Sequence, residues 1–194
     1  YPDDGDNAQS LISKADQAMY QVKSKGRNDW QFYTKEMQIE SERRHRLLNE
    51  LILDLKEQKL IPFFQPILDL KNASICKCEA LARWRKTDGS FVPPVEFITL
   101  AEESGLINSL DLHILESSAK LIEHLKQSVK EVELSINVSP RLFHTKDKDL
   151  SAWIDCVKSI SARLPLTIEI TERLLTEDSI TALEVLNQLK KFGV

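Results

Sequence analysis

The stretch Leu134-Ser135-Ile136-Asn137-Val138 alternates apolar and polar side chains, and Leu166-Thr167-Ile168-Glu169-Ile170-Thr171 repeats the alternation further along the chain. Alternation of this kind predicts two strands, because successive side chains of a strand point to opposite faces. The apolar positions are expected to pack against helices. Ser135, Asn137 and Glu169 are therefore predicted to lie on the opposite faces of their strands, which in a barrel is the interior.

Short strand-like runs and longer helical runs alternate on both sides of this stretch. The predicted strands are Leu60–Gln65, Ile75–Trp84, Val132–Val138 and Leu166–Thr171, and the predicted helices are Pro94–Glu103, Asn108–Lys126, Asp149–Ile160 and Ser179–Lys191. Such alternation favours βα units in a parallel sheet or barrel. A complete α/β barrel has eight units in roughly 250 residues. Four strands therefore predict an α/β fold with about half of a TIM-like (β/α) barrel.

The residues before this region have a different pattern. Residues 7–24 are predicted to form a helix and Trp30–Tyr33 a short strand. Residues 34–58 are predicted to form a linker helix, polar in its first half and apolar along one face in its second, as a bridge between two domains requires. The basic cluster at 43–46 could contact nucleic acid, but interleaved glutamates favour a solvated helical face.

The composition excludes several classes of protein. The chain has 194 residues and a formal net charge of -4, which argues against a general nucleic-acid-binding surface. No apolar run is long enough to cross a membrane, and the acidic residues 3–6 do not resemble a signal peptide but a turn cut from inside a longer protein. Cys76, Cys78 and Cys156 are predicted to be free, buried thiols in a cytoplasmic protein, because zinc would need four ligands and Cys76-x-Cys78 supplies two.

Strand parity also places Glu79 and Arg83 on one face of the second predicted strand. Two carboxylates and the Asn137 amide, from three strands, would form a hard oxygen site suited to Mg²⁺, Mn²⁺ or Ca²⁺. An arginine beside them could hold a phosphate. The pattern alone leaves an alternative open, in which Glu79 and Arg83 form an ordinary ion pair and Asn137 and Glu169 cap neighbouring loops.

Five ordered motifs resemble the EAL family of cyclic di-GMP phosphodiesterases, with the resemblance covering residues 47–194. They are Phe64-Gln65-Pro66-Ile67, Glu79-Ala80-Leu81-Ala82-Arg83-Trp84, the run from Pro94 to Ile107, Asn137-Val138-Ser139-Pro140 and Glu169-Ile170-Thr171-Glu172. Residues 1–33 resemble the C-terminal end of a GGDEF domain, through Tyr1-Pro2-Asp3-Asp4-Gly5, Lys14-Ala15-Asp16-Gln17-Ala18-Met19-Tyr20 and Lys25-Gly26-Arg27-Asn28. The expected organisation is a short α+β GGDEF remnant, a linker helix and the N-terminal part of an EAL domain.

The resemblance implies a role for each matching residue. Glu79, Asn137 and Glu169 would ligate two catalytic cations, Mg²⁺ or Mn²⁺, and Glu172 would anchor the loop beside them. Ligand-binding positions are Gln65 near a guanine, Arg83 at a phosphate, and Leu81 on the same strand face.

The resemblance also implies hydrolysis of cyclic di-GMP to linear pGpG. The family's remaining ligands and catalytic lysine would follow Val194 and the GTP site would precede Tyr1, so this segment alone is expected to be inactive and to form a homodimer or aggregate. The alternatives are a module that binds cyclic di-GMP without cutting it and transmits a signal, and a purely structural dimerisation module.

Overall fold

A computed structural model describes residues 5, 7–24, 26, 28–125, 132–144, 148–170 and 179–194. The chain divides into two compact units, Tyr1–Glu50 and Leu51–Val194. The boundary falls inside the predicted linker helix. Each unit is described separately.

The described part of the first unit is mainly helical. Helix α1 spans Ala8–Ser24, and helix α2 starts at Lys35 and ends at Lys56, beyond the unit boundary. Asn7 caps α1, because its Oδ1 accepts a hydrogen bond from the Ser10 amide over 2.8 Å. The predicted strand Trp30–Tyr33 is wrong. These residues have no partner strand among the described residues, and without a hydrogen-bonding neighbour an extended segment does not form a sheet.

The second unit is built on an open five-stranded sheet. Its strands are β1 (Leu60–Asp69), β2 (Ser74–Arg85), β3 (Phe91–Val92), β4 (Glu133–Asn137) and β5 (Leu166–Glu169). The order is β1-β2-β4-β5, with the short β3 paired to β2. Strands β2, β4 and β5 are parallel, which confirms the predicted βα arrangement for this part of the sheet.

Strand β1 departs from the expected parallel arrangement. It pairs antiparallel with β2 from Leu60 opposite Trp84 to Asp69 opposite Ser74. The connection between the two strands is only residues 70–73, and a parallel pair needs a crossover of a dozen or more residues. A hairpin is therefore the only pairing that this short connection allows. Strand β3 was not predicted either, since two residues carry no periodicity.

Helices cover one face of the sheet. They are α3 (Pro94–Ser104), α4 (Ile107–Leu125), α5 (Lys148–Ser161) and α6 (Ser179–Lys191), with a short 3₁₀ helix at Pro140–His144. Gly105 ends α3 in the left-handed conformation, at φ 74°, which glycine adopts without strain. The largest buried side chains on this side of the unit include Trp84, Phe97, Leu115, Leu134 and Trp153.

The end of α2 is attached to β2 within the second unit. Leu51 is fully buried, and Asp54 Oδ2 accepts a hydrogen bond from the Trp84 indole Nε1 over 2.8 Å. Lys59 Nζ lies 3.0 Å from Asp54 Oδ1. These contacts fix the last turn of α2 against the strand that carries Glu79.

The three thiols are free, as predicted, but they are not all buried. Cys76 is exposed, Cys78 is buried and Cys156 is half-buried. Burial raises the pKa of the Cys156 thiol to about 11. Among the described residues, no helix has the length and apolar character needed to cross a membrane.

Candidate metal centre and ligand pocket

Neighbouring strands bring Glu79, Asn137 and Glu169 together on the sheet face opposite the helices. Across β4 and β5, Asn137 is paired with Glu169, and across β2 and β4, Glu79 is paired with Ser135. Asn137 Nδ2 donates a hydrogen bond to Glu79 Oε1 over 2.7 Å, and the Ser135 hydroxyl donates to Glu169 Oε1. The expected clustering of these side chains is therefore present, while their function as metal ligands stays a prediction.

The donor atoms of this cluster fit a hard divalent cation. The Asn137 amide nitrogen faces Glu79, which leaves Oδ1 as an acceptor. Neither Glu79 Oε2 nor Glu169 Oε2 accepts a hydrogen bond from the described residues. Two carboxylates and one amide oxygen suit Mg²⁺ or Mn²⁺ better than zinc. Within the described ranges no three His, Cys, Asp or Glu side chains gather in a metal-binding group.

Arg83 lies on the same strand face but does not neutralise Glu79. Its Nη1 donates to the Ala82 carbonyl over 2.9 Å, and its Cζ lies 5.7 Å from the centre of the Phe63 ring. No ion pair within 4.0 Å joins Arg83 to Glu79, both of which are described. The alternative of an ordinary Glu79–Arg83 ion pair is therefore wrong for this structure.

The other predicted ligand-binding residues lie on neighbouring positions. Gln65 of β1 is directly opposite Glu79, and Phe63 is opposite Leu81. Gln65 is exposed and Leu81 is half-buried. Glu172 lies outside the described residues.

A cavity of about 300 Å³ opens beside the cluster, at the C-terminal ends of the parallel strands. Leu81, Arg83, Asn137 and Glu169 contribute to its wall. Much of the remaining lining is apolar and comes from β2, from β4 and the residue after it, and from α3 and α4: Ala80, Ala82, Pro94, Ile98, Ile107, Leu110, Ile114, Ile136 and Val138. An apolar pocket next to a few convergent polar groups is typical of a small-molecule site, and the C-terminal end of the strands is where α/β barrels place such sites.

Two acidic side chains from the helices hold the segment that follows Asn137. Asp111 Oδ2 accepts a hydrogen bond from the Ser139 amide over 3.0 Å, and Glu102 Oε1 accepts one from the Ser139 hydroxyl over 2.8 Å. Arg141 Nη1 also donates to the Glu102 carbonyl oxygen over 2.8 Å. Removal of the Asp111 carboxyl from water raises its pKa to about 7, and the nearby Glu102 charge adds to this, although the Ser139 amide acts in the opposite direction.

A second polar cluster lies on the same sheet face toward the start of the strands. Lys77 Nζ is 3.0 Å from Glu133 Oε1 and 3.2 Å from Thr167 Oγ1, and the Thr167 hydroxyl donates to Glu133. Burial acts to raise the pKa of Glu133, but the hydrogen bonds from Thr167 and Lys77 outweigh it, so this pKa is lowered. The carboxylate here is neutralised by a protein cation, in contrast to Glu79 and Glu169.

Sequence reasoning assigned no interaction to Ser135, Asp111, Glu102 or Ser139, although Ser135 was placed on the interior face and the quoted motifs contain Glu102 and Ser139. Parity placed Ser135 on the correct face, but a serine in a strand gives no indication of its partner. The two acidic helix residues have contacts 28 and 37 positions away along the chain. A local pattern in the sequence does not indicate contacts between residues so far apart along the chain.

Comparison with known proteins points to one family. The model of the EAL domain matches residues 46–194. A Caulobacter vibrioides protein named as an uncharacterized signaling protein is 33% identical over 196 residues, covering 100% of this chain and 24% of that protein. The bifunctional diguanylate cyclase/cyclic di-GMP phosphodiesterase MucR of Pseudomonas aeruginosa is 28% identical, covering 100% of this chain and 28% of MucR.

A solved structure agrees with these sequence matches. The PaMucR phosphodiesterase in complex with c-di-GMP superposes with a TM-score of 0.65 at 26% identity, covering 77% of this chain and 61% of that one. The present chain thus spans about a quarter of the length of the curated relatives named above.

Proposed function

Because this chain belongs to the EAL-domain family, we propose that the protein containing it hydrolyses cyclic di-GMP to linear pGpG with Mg²⁺ or Mn²⁺. The observation that carries the proposal is the cluster of Glu79, Asn137 and Glu169, in which an Nδ2–Oε1 distance of 2.7 Å joins residues from two strands. The similarity to MucR, whose name includes cyclic di-GMP phosphodiesterase activity, supports the choice of substrate. The GGDEF origin of residues 1–33 and homodimer formation stay predictions.

In the proposed mechanism, the Glu79 and Glu169 carboxylates and the Asn137 side-chain oxygen would hold the divalent cations. Such cations, when bound, lower the pKa of a nucleophilic water and neutralise charge that develops on the phosphate. The protein contributes the fixed positions of these oxygens. Because the three residues lie on adjacent paired strands, their separation is set by the sheet and needs little rearrangement on binding.

Arg83 is proposed to bind a phosphate of the substrate. Its guanidinium is kept near the cluster by the Phe63 ring and the Ala82 carbonyl. A guanidinium has five N–H donors, and only one of them is directed at Ala82 through a described hydrogen bond. The planar fork suits phosphate oxygens.

The neighbouring cavity is proposed to receive the nucleotide. Leu81 contributes to the cavity wall. Gln65 lies opposite Glu79 in the β1–β2 hairpin, outside the cavity lining, and is proposed to contact a guanine from there. The volume of about 300 Å³ fits one base better than a whole dinucleotide. The rest of the substrate would then lie along the cluster face.

The test uses the protein at its full natural length and follows conversion of cyclic di-GMP to pGpG by chromatography, with Mg²⁺ or Mn²⁺ added. We expect Glu79→Gln to reduce kcat/KM by at least about 100-fold, more than is usual for a residue that merely supports a ligand. Glu116→Gln, at an exposed position of α4, is the matched control and should retain activity. Unchanged hydrolysis in Glu79→Gln would refute the metal-binding role, and tight binding of cyclic di-GMP by the wild type without any pGpG would favour a non-catalytic module.

A further inference from the structure

Ser135 is a buried polar residue in the centre of the sheet. Its side chain lies on the face that carries the candidate ligands, and its exposed fraction is 0%. A hydroxyl that is shielded from water needs a hydrogen-bond partner in the protein, because an unpaired buried polar group destabilises the fold. The partner is Glu169 Oε1, to which the hydroxyl donates.

This hydrogen bond determines which way the Glu169 carboxylate faces. Ser135 is directly opposite Thr167, which precedes Glu169 in β5 and lies on the same face. The Glu169 side chain therefore extends diagonally toward the start of the strand to reach the Ser135 hydroxyl. Oε1 is then occupied, and no described residue donates to Oε2. The two carboxylate oxygens of a glutamate move together with its three side-chain torsions. A hydrogen bond to one oxygen therefore also restricts the positions that the other oxygen can take.

We propose that Ser135 is a positioning residue that orients the Glu169 carboxylate for binding a divalent cation. The inference rests on the metal-dependent function proposed above. Residues that hydrogen-bond to a metal ligand from behind fix its orientation, and their loss typically lowers metal affinity about 10–100-fold. Ser135 has the position and the burial for that role.

The cluster of Lys77, Glu133 and Thr167 provides a matched control. There too a hydroxyl donates to a carboxylate across β4 and β5. That carboxylate is already paired with Lys77, at 3.0 Å, and it is not a candidate ligand. Removing the Thr167 hydroxyl therefore perturbs the same sheet face without changing the orientation of Glu169.

The experiment measures Mn²⁺ binding by electron paramagnetic resonance of the free ion, in the full-length protein without substrate. Ser135→Ala is expected to raise the Mn²⁺ dissociation constant about 10–100-fold. Thr167→Val should leave it within about twofold of the wild type, and Ser135→Thr, which restores a hydroxyl, should recover most of the affinity. Thermal melts of the metal-free proteins report whether each variant is folded.

The outcomes separate this inference from the proposed function. An Mn²⁺ dissociation constant for Ser135→Ala close to that of the wild type overturns the positioning role alone, as does an equal loss in Thr167→Val. If the wild type binds no Mn²⁺, the metal site and the positioning role fall together. If Ser135→Thr does not fold, the Mn²⁺ dissociation constants of Ser135→Ala and Thr167→Val still test whether Ser135 positions Glu169.

Discussion

Asp111 should make the stability of this chain fall as the pH rises through the neutral range. Its carboxyl has a pKa of about 7 in the folded protein, against an ordinary value of 3.8. The unfolded chain therefore releases this proton at a lower pH than the folded one, and each step upward in pH between these values favours unfolding. Above about pH 7 both states are ionised, and the effect levels off.

The magnitude follows from the difference between the two pKa values. A shift of about three units corresponds to about 4 kcal/mol in all, of which about 2 to 3 kcal/mol is expected between pH 5 and pH 8. Asp111→Asn abolishes the titration but leaves an amide oxygen that can accept the hydrogen bond from Ser139. The variant should therefore be more stable than the wild type at pH 8, by an amount that shrinks steadily toward pH 5.

The assay is urea unfolding at several pH values between 5 and 8, with Asp149→Asn as the control because Asp149 is exposed in the first turn of α5. The control should keep the pH dependence of the wild type. If Asp111→Asn shows the same slope of stability against pH as the wild type, the burial argument for this carboxyl is refuted.

Three further perturbations test other parts of the fold. Trp84→Phe removes the indole donor and leaves Asp54 Oδ2 without it, so urea unfolding should show a loss of about 1–3 kcal/mol. Lys77→Met removes a hydrogen bond that lowers the pKa of Glu133. A lowered pKa stabilises the folded protein above the ordinary pKa of a glutamate, and this stabilisation is lost as the pH falls through the pKa of the folded state. The difference in free energy of unfolding between Lys77→Met and the wild type should therefore narrow from pH 6 toward pH 3. A difference that does not change with pH would contradict this. Trp153→Ala empties a fully buried position and should cost about 3–5 kcal/mol in the same assay, whereas a cost below about 1 kcal/mol would show that this part of the core is loosely packed.

Much of the sheet could be predicted because each strand has one face against helices. From that constraint, Leu134 and Ile136 could be assigned to one face of β4 and Asn137 to the other. The register between β4 and β5 then places Asn137 beside Glu169. The same logic could not set the direction of β1. Its direction follows from the four-residue connection to β2, whereas the alternation of strand-like and helical runs suggested parallel pairing.

The interactions between side chains were beyond prediction. Parity assigned Ser135 to the right face, but its bond to Glu169 depends on the stagger of β5 relative to β4. Asp111 lies next to Leu110 in an amphipathic helix, where an acidic residue is ordinarily solvated. Its partner is a backbone amide, which no side-chain pattern in the sequence can indicate.

The proposed function depends on the binding of a divalent cation by Glu79, Asn137 and Glu169. Crystals of the full-length protein grown with Mn²⁺, with anomalous scattering recorded at the manganese edge, test it directly. We expect an anomalous peak about 2.1 Å from an oxygen of each of these side chains. A well-ordered sheet with no peak at this position, under saturating Mn²⁺, would contradict it.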